Sequence, residues 1–127
     1  MRALKICTLM GLILSCSDDD CIKRIGMVSI GERIIPDTVM SLDNSQVMIE
    51  AEATNGCWSD LYLELNKTDE FEYSLKAYGT YESYGACPDI MVYKDTIINF
   101  QPTQKGVYLF RISELPNRII VDTIIVE

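Results

Sequence analysis

The sequence contains no histidine among its 127 residues, and this absence removes much of enzyme chemistry. Histidine is the commonest general base and the commonest metal ligand in proteins, so a Ser–His or Cys–His nucleophile is impossible here. The sequence also has no Gly-x-Ser-x-Gly elbow and no glycine-rich phosphate loop. These absences exclude the usual nucleophilic hydrolases and the common nucleotide-binding enzymes.

Basic residues are scarce: 11 lysines and arginines stand against 19 aspartates and glutamates, which gives a formal net charge of −8 at pH 7. Such a chain is repelled by nucleic acid and by anionic lipid, so neither is an expected partner. Its apolar content of 48% is nevertheless that of a globular chain rather than a disordered one. The length suits a single domain.

Helical periodicity is missing as well, because no stretch after residue 15 has apolar residues at a spacing of 3.6. Apolar and polar residues alternate instead, which is typical of strands with one buried face. The alternation is clearest at 46–54, where one face carries only apolar residues: Val47, Ile49, Ala51 and Ala53. Residues 58–66 and 70–79 alternate in the same way, so we predict three half-buried antiparallel strands.

The rest of the chain predicts shorter strands separated by turns. We expect strands at 22–30, 107–112 and 118–126, and one bulged strand or two short ones at 90–93 and 96–100. Gly26 should weaken the first strand, Gly31-Glu32 should end it, and Pro36 restricts 34–36 to a sheet edge. Turns are expected at 41–45 and 67–69, and a loop at 80–88. Seven or eight short strands favour an all-β fold, a single antiparallel β-sandwich.

Residues 105–110 contain Gly106 and Tyr108 and resemble the Gly-x-Tyr corner of immunoglobulin-like domains. The resemblance implies an immunoglobulin-like sandwich in which the tyrosine hydroxyl bonds back to upstream backbone. In that family a cysteine follows two residues after the tyrosine, whereas this sequence has Phe110. The usual disulfide between the two sheets is therefore not expected.

The first twenty residues have the organisation of a secretion signal. Arg2 and Lys5 precede an apolar run at 6–14, which as a helix would span about 14 Å and is too short for a hydrocarbon core of ~30 Å. Leu14-Ser15-Cys16 then resembles the end of a lipobox, where signal peptidase II cuts before a lipidated cysteine. A short buried N-terminal strand or helix is the alternative.

The lipoprotein resemblance implies a signal peptide at 1–15, a lipidated cysteine and acidic tether at 16–21, and a β-sandwich domain at 22–127. Cys16 would carry a diacylglycerol and a further acyl chain such as palmitate, and several chains anchor a protein firmly. Asp18-Asp19-Asp20 resembles the export signal of Bacteroidota surface lipoproteins. We therefore expect an outer-membrane lipoprotein that faces the cell exterior, with the periplasmic face as the alternative.

Five cysteines are present, of which Cys7 would leave with the signal peptide and Cys16 would carry lipid. The remaining three would lie in an oxidising compartment, where disulfides persist. We predict the pair Cys57–Cys87, because both lie beside turn residues inside the domain. Pairing of Cys21 with either of them stays open. Three cysteines at these spacings without histidine do not indicate a metal site, and no cofactor is expected.

Three tyrosines, Tyr78, Tyr81 and Tyr84, lie near the predicted disulfide and form a candidate binding site. Tyrosines on a loop that a disulfide holds can contact protein or glycan with a large area at a small entropic cost. In the alternative interpretation, Tyr78 lies on the outer face of a strand and the other two cap the sandwich.

A tripeptide recurs three times as Asp37-Thr38-Val39, Asp95-Thr96-Ile97 and Asp122-Thr123-Ile124. It resembles the Asp-Ser/Thr-aliphatic acceptor for O-glycosylation in Bacteroidota, which would place glycans on Thr38, Thr96 and Thr123. The other explanation is that threonine and isoleucine favour strands while aspartate favours the preceding turn.

The sequence thus predicts a non-catalytic binding or accessory module held at a membrane by its lipid, with a protein or glycan ligand. A protease inhibitor or blocking protein that presents the 80–88 loop is the alternative from another class. A small hydrolase is the third, because pairs such as Glu50/Glu52 and Glu70/Glu72 could serve glycoside hydrolysis. Carboxylates that alternate along a strand are more often a solvated face, so we predict no enzymatic activity.

Overall fold

A computed structural model describes residues 21–40 and 44–127. The predicted signal peptide at 1–15, the lipidation residue Cys16 and the acidic residues 18–20 lie outside the described residues. The same is true of residues 41–43 of the predicted turn.

Eight strands account for the secondary structure of the described residues, so the all-β prediction is confirmed. In chain order they are β1 (Ile22–Ile34), β2 (Thr38–Val39), β3 (Ser45–Ala53), β4 (Trp58–Asp69), β5 (Glu72–Ser83), β6 (Val92–Phe100), β7 (Gly106–Glu114) and β8 (Arg118–Val126). Within this described part, no helix is long and apolar enough to cross a bilayer.

The strands form two sheets joined by β1. In the large sheet, one edge of β5 pairs with β4. The other edge of β5 is shared by two strands: its first residues, 72–75, pair with β7, and its last residues, 77–83, pair with residues 22–28 of β1. β8 pairs with β7, and β2 with β8. In the small sheet, residues 29–34 of β1 pair with β3, which pairs with β6. The fold is sandwich-like, and one strand belongs to both layers.

The core lies between the two sheets and confirms the predicted alternation. On β3 the four apolar residues of one face are at most 2% exposed: Val47, Ile49, Ala51 and Ala53. They pack against buried residues of the large sheet, namely Leu75, Ala77, Phe110, Ile112, Ile124 and Val126. The side of each sheet that faces the core is thereby known, and so is the side that faces away.

The predicted end of the first strand at Gly31-Glu32 is wrong. β1 continues to Ile34, and its register against β3 shifts between Ile30 and Arg33. A bulge absorbs the strand-breaking residues where β1 passes from the large sheet to the small one. The edge segment predicted at 34–36 is not a separate strand. Ile34 is the last residue of β1, and Pro36 lies outside the strands.

The loop predicted at 80–88 is also wrong in its first four residues, which extend β5 to Ser83. Pairing with β1 and β4 on both edges holds this segment extended although it contains turn-forming residue types. The turn expected at 67–69 falls later, between Asp69 and Glu72. β6 is one strand in regular register with β3, so Lys94-Asp95 does not interrupt it.

Most strand pairs are antiparallel, as predicted, but β2/β8 and β5/β7 are parallel. The Tyr108 hydroxyl donates a hydrogen bond of 2.7 Å to the carbonyl oxygen of Gln104, as the corner resemblance implied. Gly106 precedes it with φ +150°, and a Cβ there would lie 2.8 Å from the Phe71 ring, so glycine is needed at this position. The resemblance to immunoglobulin-like domains rests on this corner alone.

Candidate functional site

One end of the sandwich is closed by the Cys57–Cys87 disulfide, which confirms the predicted pairing. We call it the disulfide end; β1 and β4 begin there and β5 finishes there. The Gly56 amide donates to the Pro88 carbonyl, and the Glu82 amide to the Cys57 carbonyl, each at 2.9 Å. Because Cys57 and Cys87 bond to each other, the alternative pairings of Cys21 with either of them are excluded.

The side chain of Trp58 lies over a pair of glycines at this end. Gly26 of β1 and Gly79 of β5 are directly opposite each other. A Cβ on Gly26 would lie 3.2 Å from Cη2 of the indole, and a Cβ on Gly79 would lie 3.3 Å from Cε3. The two glycines therefore leave the space that the indole occupies. Gly26, which the sequence marks as a weak point in β1, makes room for Trp58.

Arg24 and Tyr81 complete this arrangement, and we call the three side chains Arg24, Trp58 and Tyr81 the Trp58 cluster. Tyr81 pairs with Arg24 on one side and with Trp58 on the other. The guanidinium carbon lies 4.7 Å from the Tyr81 ring centroid and 5.5 Å from that of Trp58. The two rings meet edge to face with centroids 5.2 Å apart. Such cation–π contacts hold a partly exposed arginine in a defined place.

The cluster is connected to the disulfide and to a cavity. The Tyr81 hydroxyl lies 3.3 Å from Sγ of Cys87. On the other side, Trp58 lines a cavity of about 240 Å³ together with Met27, Ser29, Glu52, Ala53, Thr54 and Leu115. This volume is smaller than the ~300–1,000 Å³ typical of drug-sized ligands. Its lining offers the indole of Trp58 as an aromatic surface and the carboxylate of Glu52 as a hydrogen-bond acceptor.

A larger cavity of about 570 Å³ lies along β8 and contains the side chain of Arg33. Nε of Arg33 donates to Oδ2 of Asp122 at 2.7 Å, and its Nη1 lies 3.8 Å from Oε2 of Glu114. All three side chains are at least two-thirds buried, so their ion pairs are only partly screened by water. The guanidinium is already bound by two carboxylates and joins β1 to β8, which indicates a structural contact.

The three tyrosines of the candidate binding site do not form one surface. Tyr78 and Tyr81 both lie in β5, and because three positions separate them they face opposite sides of the sheet. Tyr78 stacks on Tyr62 at 5.7 Å on the side away from the core. Tyr84 lies in the remaining loop with its hydroxyl 3.5 Å from a carboxylate oxygen of Glu82. Only Tyr81 belongs to the Trp58 cluster.

The three candidate glycosylation sites differ in access. Thr38 and Thr123 are exposed, whereas Thr96 is half-buried. Thr96 pairs with the buried Ile49 on the core-facing side of β6. A glycan could leave the first two positions freely but not the third.

Glu70 and Glu72, one of the two carboxylate pairs considered for hydrolysis, make other contacts, whereas Glu52 of the second pair lines the cavity beside Trp58. Oε2 of Glu70 accepts a hydrogen bond from Gln104, and Oε2 of Glu72 accepts one from Arg111, both at 2.7 Å. Across residues 21–40 and 44–127, no group of three or more His, Cys, Asp or Glu side chains could hold a metal ion.

The sequence patterns do not point to Arg24 or Trp58. The one available signal is the single tryptophan, which directly follows a turn and a cysteine. Comparison with protein-family models, with curated proteins and with solved structures found no match. The class of this protein is therefore described from its fold and its candidate site alone. It is a β-sandwich-like domain with a disulfide at one end and an aromatic–arginine cluster beside it.

Proposed function

We propose that the chain is a lipid-anchored protein of the cell envelope that acts as a non-catalytic binding or accessory module. The observation that carries the proposal is the order of features in the first twenty residues: basic residues, a short apolar run, Leu14-Ser15-Cys16 and an acidic triplet. The disulfide supports it, because such bonds persist in secreted and envelope proteins and are rare in the cytosol.

The length of the tether adds a geometric argument. Cys16 precedes Cys21, the first described residue, by five positions, and a fully extended chain of that length spans at most about 18 Å. β1 starts at the disulfide end, where Ile22 pairs with Ser83. A lipid on Cys16 would therefore hold the disulfide end, with the Trp58 cluster, close to the bilayer.

This orientation bears on the ligand. A site held within about 18 Å of a bilayer suits a partner at the same surface, such as a loop of a membrane protein or a membrane glycan. It is a poor position for a loop that must enter the active site of a soluble peptidase. The inhibitor alternative is also weakened because residues 80–83 of the loop it would present belong to β5, and the loop that remains runs from 84 to 91. No observation on the described residues favours a small hydrolase.

Metabolic labelling tests the anchor. Cells that produce the full chain and grow on labelled palmitate should incorporate the label, and the protein should fractionate with the membrane. The Cys16→Ser variant should carry no label and leave the membrane fraction, whereas Ser17→Ala should behave as the wild type. An unlabelled wild-type protein would refute the proposal.

Added protease should remove the domain from intact cells if it faces the exterior, and spare it if it faces the periplasm.

A further inference from the structure

The side of the large sheet that faces away from the core is unusually apolar. We call it the outer face. Six of its apolar side chains expose between 42% and 67% of their surface: Ile25, Tyr62, Val107, Ile119, Val121 and Ile125. The strand register places them on one side, since Tyr78 lies opposite Met27 and Tyr62, and Leu109 lies opposite Glu72 and Thr123. A solvated face of an antiparallel sheet is normally polar, so this face needs an explanation.

The apolar residues form two clusters on the outer face. The aromatic cluster comprises residues of β1, β4 and β5: Ile25, Met27, Tyr62 and Tyr78. The aliphatic cluster comprises residues of β7 and β8: Val107, Leu109, Ile119, Val121 and Ile125. Polar residues of β5, such as Ser74 and Lys76, lie between them.

The charges on the outer face nearly balance one another. Nε of Arg111 lies 2.7 Å from a carboxylate oxygen of Glu72, and Nζ of Lys23 lies 3.9 Å from one of Glu82. Lys76 is directly opposite Glu64 in the register. Asp69, opposite Glu72, lies on the same face, so three basic residues meet four acidic ones there, on a chain whose net charge is −8. A strongly charged partner would find no large net charge of opposite sign to bind here.

We infer that the outer face is the surface through which two copies of this chain associate. Two copies repel each other over most of their acidic surface, but the named charges of this face sum to only −1, so the repulsion between two such faces is small. The two clusters follow one another along the strand direction, so a twofold axis parallel to the strands would place the aromatic cluster of each copy over the aromatic cluster of the other, and the aliphatic cluster over the aliphatic one. Two such sheets would pack face to face at about 10 Å, as the sheets of a sandwich do.

The available area is adequate for this association. Five strands about 4.8 Å apart, each contributing about 28 Å of length, give a flat area of roughly 600–700 Å². Stable interfaces bury ~800 Å² of accessible surface from each partner, and a face of protruding side chains has more accessible surface than flat area.

The same twofold axis directs both disulfide ends the same way, so two lipid anchors could enter one membrane; this last point rests on the proposed function.

Cysteine cross-linking in the producing cells tests the interface on the full chain. Ser74 lies between the two clusters on the outer face, so a thiol-reactive cross-linker long enough to bridge two sheets about 10 Å apart should link Ser74→Cys into a dimer on denaturing gels. Asn99→Cys, on β6 of the other sheet, should remain monomeric. Adding Val121→Glu to Ser74→Cys should abolish the cross-link, whereas Ile97→Glu, at a more exposed position on β6, should leave it intact.

Sedimentation of the detergent-solubilised wild-type chain gives the second measurement. The protein mass should be that of two copies, and Val121→Glu should weaken the association about 10-fold or more, because it buries an unpaired carboxylate. A monomeric wild type, a dimer that Val121→Glu leaves unchanged, or a face occupied by a different protein would each overturn the inference. Palmitate labelling is read separately, so loss of the anchor and loss of the dimer are distinguishable.

Discussion

At the scale of single residues, the Tyr108 hydroxyl has one measurable role. Tyr108→Phe removes its hydrogen bond to the Gln104 carbonyl and leaves the buried ring in place. We expect the free energy of unfolding to fall by about 1 kcal/mol, since water can reach the exposed Gln104. Urea denaturation measures the change. Tyr93→Phe, at an exposed tyrosine on β6, should leave the midpoint unaltered, and an equal loss in both variants would contradict the assigned role.

Gly26 provides a second test at this scale. A Cβ on residue 26 would lie 2.6 Å from a guanidinium nitrogen of Arg24 and 3.2 Å from the Trp58 ring. Gly26→Ala should therefore cost about 1–3 kcal/mol of folding stability through overpacking. The loss should be smaller when Trp58→Ala is already present, because the ring no longer occupies the space. Equal losses in the two backgrounds would show that the indole is not the cause.

The three threonines make a third residue-scale test. If the Asp-Thr-aliphatic tripeptides are used, mass spectrometry of the native protein should find glycans on Thr38 or Thr123 and none on the half-buried Thr96. A glycan on Thr96, or no glycan at any of the three, would contradict this. Thr123 lies among the residues of the aliphatic cluster, so a glycan there would cover it. Dimeric protein should therefore carry an unmodified Thr123.

At the scale of elements, the disulfide ties the start of β4 to the loop after β5. Replacing Cys57 and Cys87 together by alanine opens the chain loop that the disulfide closes, whose ends are 30 residues apart. We expect a loss of about 3–4 kcal/mol in the chain-entropy description, measured by thermal or urea unfolding. The wild type under reducing conditions is the matched comparison and should approach the double variant. A double variant as stable as the oxidised wild type would leave the disulfide without a stabilising role.

The elements also show how far the sequence predicts the fold. β3 was predicted closely because each side of the strand faces one environment, so its alternation is undisturbed. For the end of β5 the sequence predicts a loop, because the glycine and tyrosines there are typical of turns, and only the pairing with β1 and β4 makes this segment a strand. The Trp58 site depends on Gly26 meeting Gly79, and no local pattern reports a pairing between residues so far apart. Parallel pairs such as β5/β7 are hidden for the same reason.

At the scale of the whole molecule, Trp58 can report the orientation on the membrane, because it is the only tryptophan. In vesicles that hold the lipidated chain and a quencher in the lipid headgroups, Trp58 fluorescence should be strongly quenched. Moving the reporter to the opposite end, in Trp58→Phe/Asn99→Trp, should largely abolish quenching. Equal quenching of both reporters would contradict the proposed orientation.

The passage of β1 through both sheets has a mechanical consequence. Any pull between an anchored lipid and a bound partner would enter the domain at Ile22 and run along this strand. β1 is hydrogen-bonded first to β5 and then to β3, so extraction would have to shear two ladders in sequence. A domain tethered in this way resists tension at the point where it is applied.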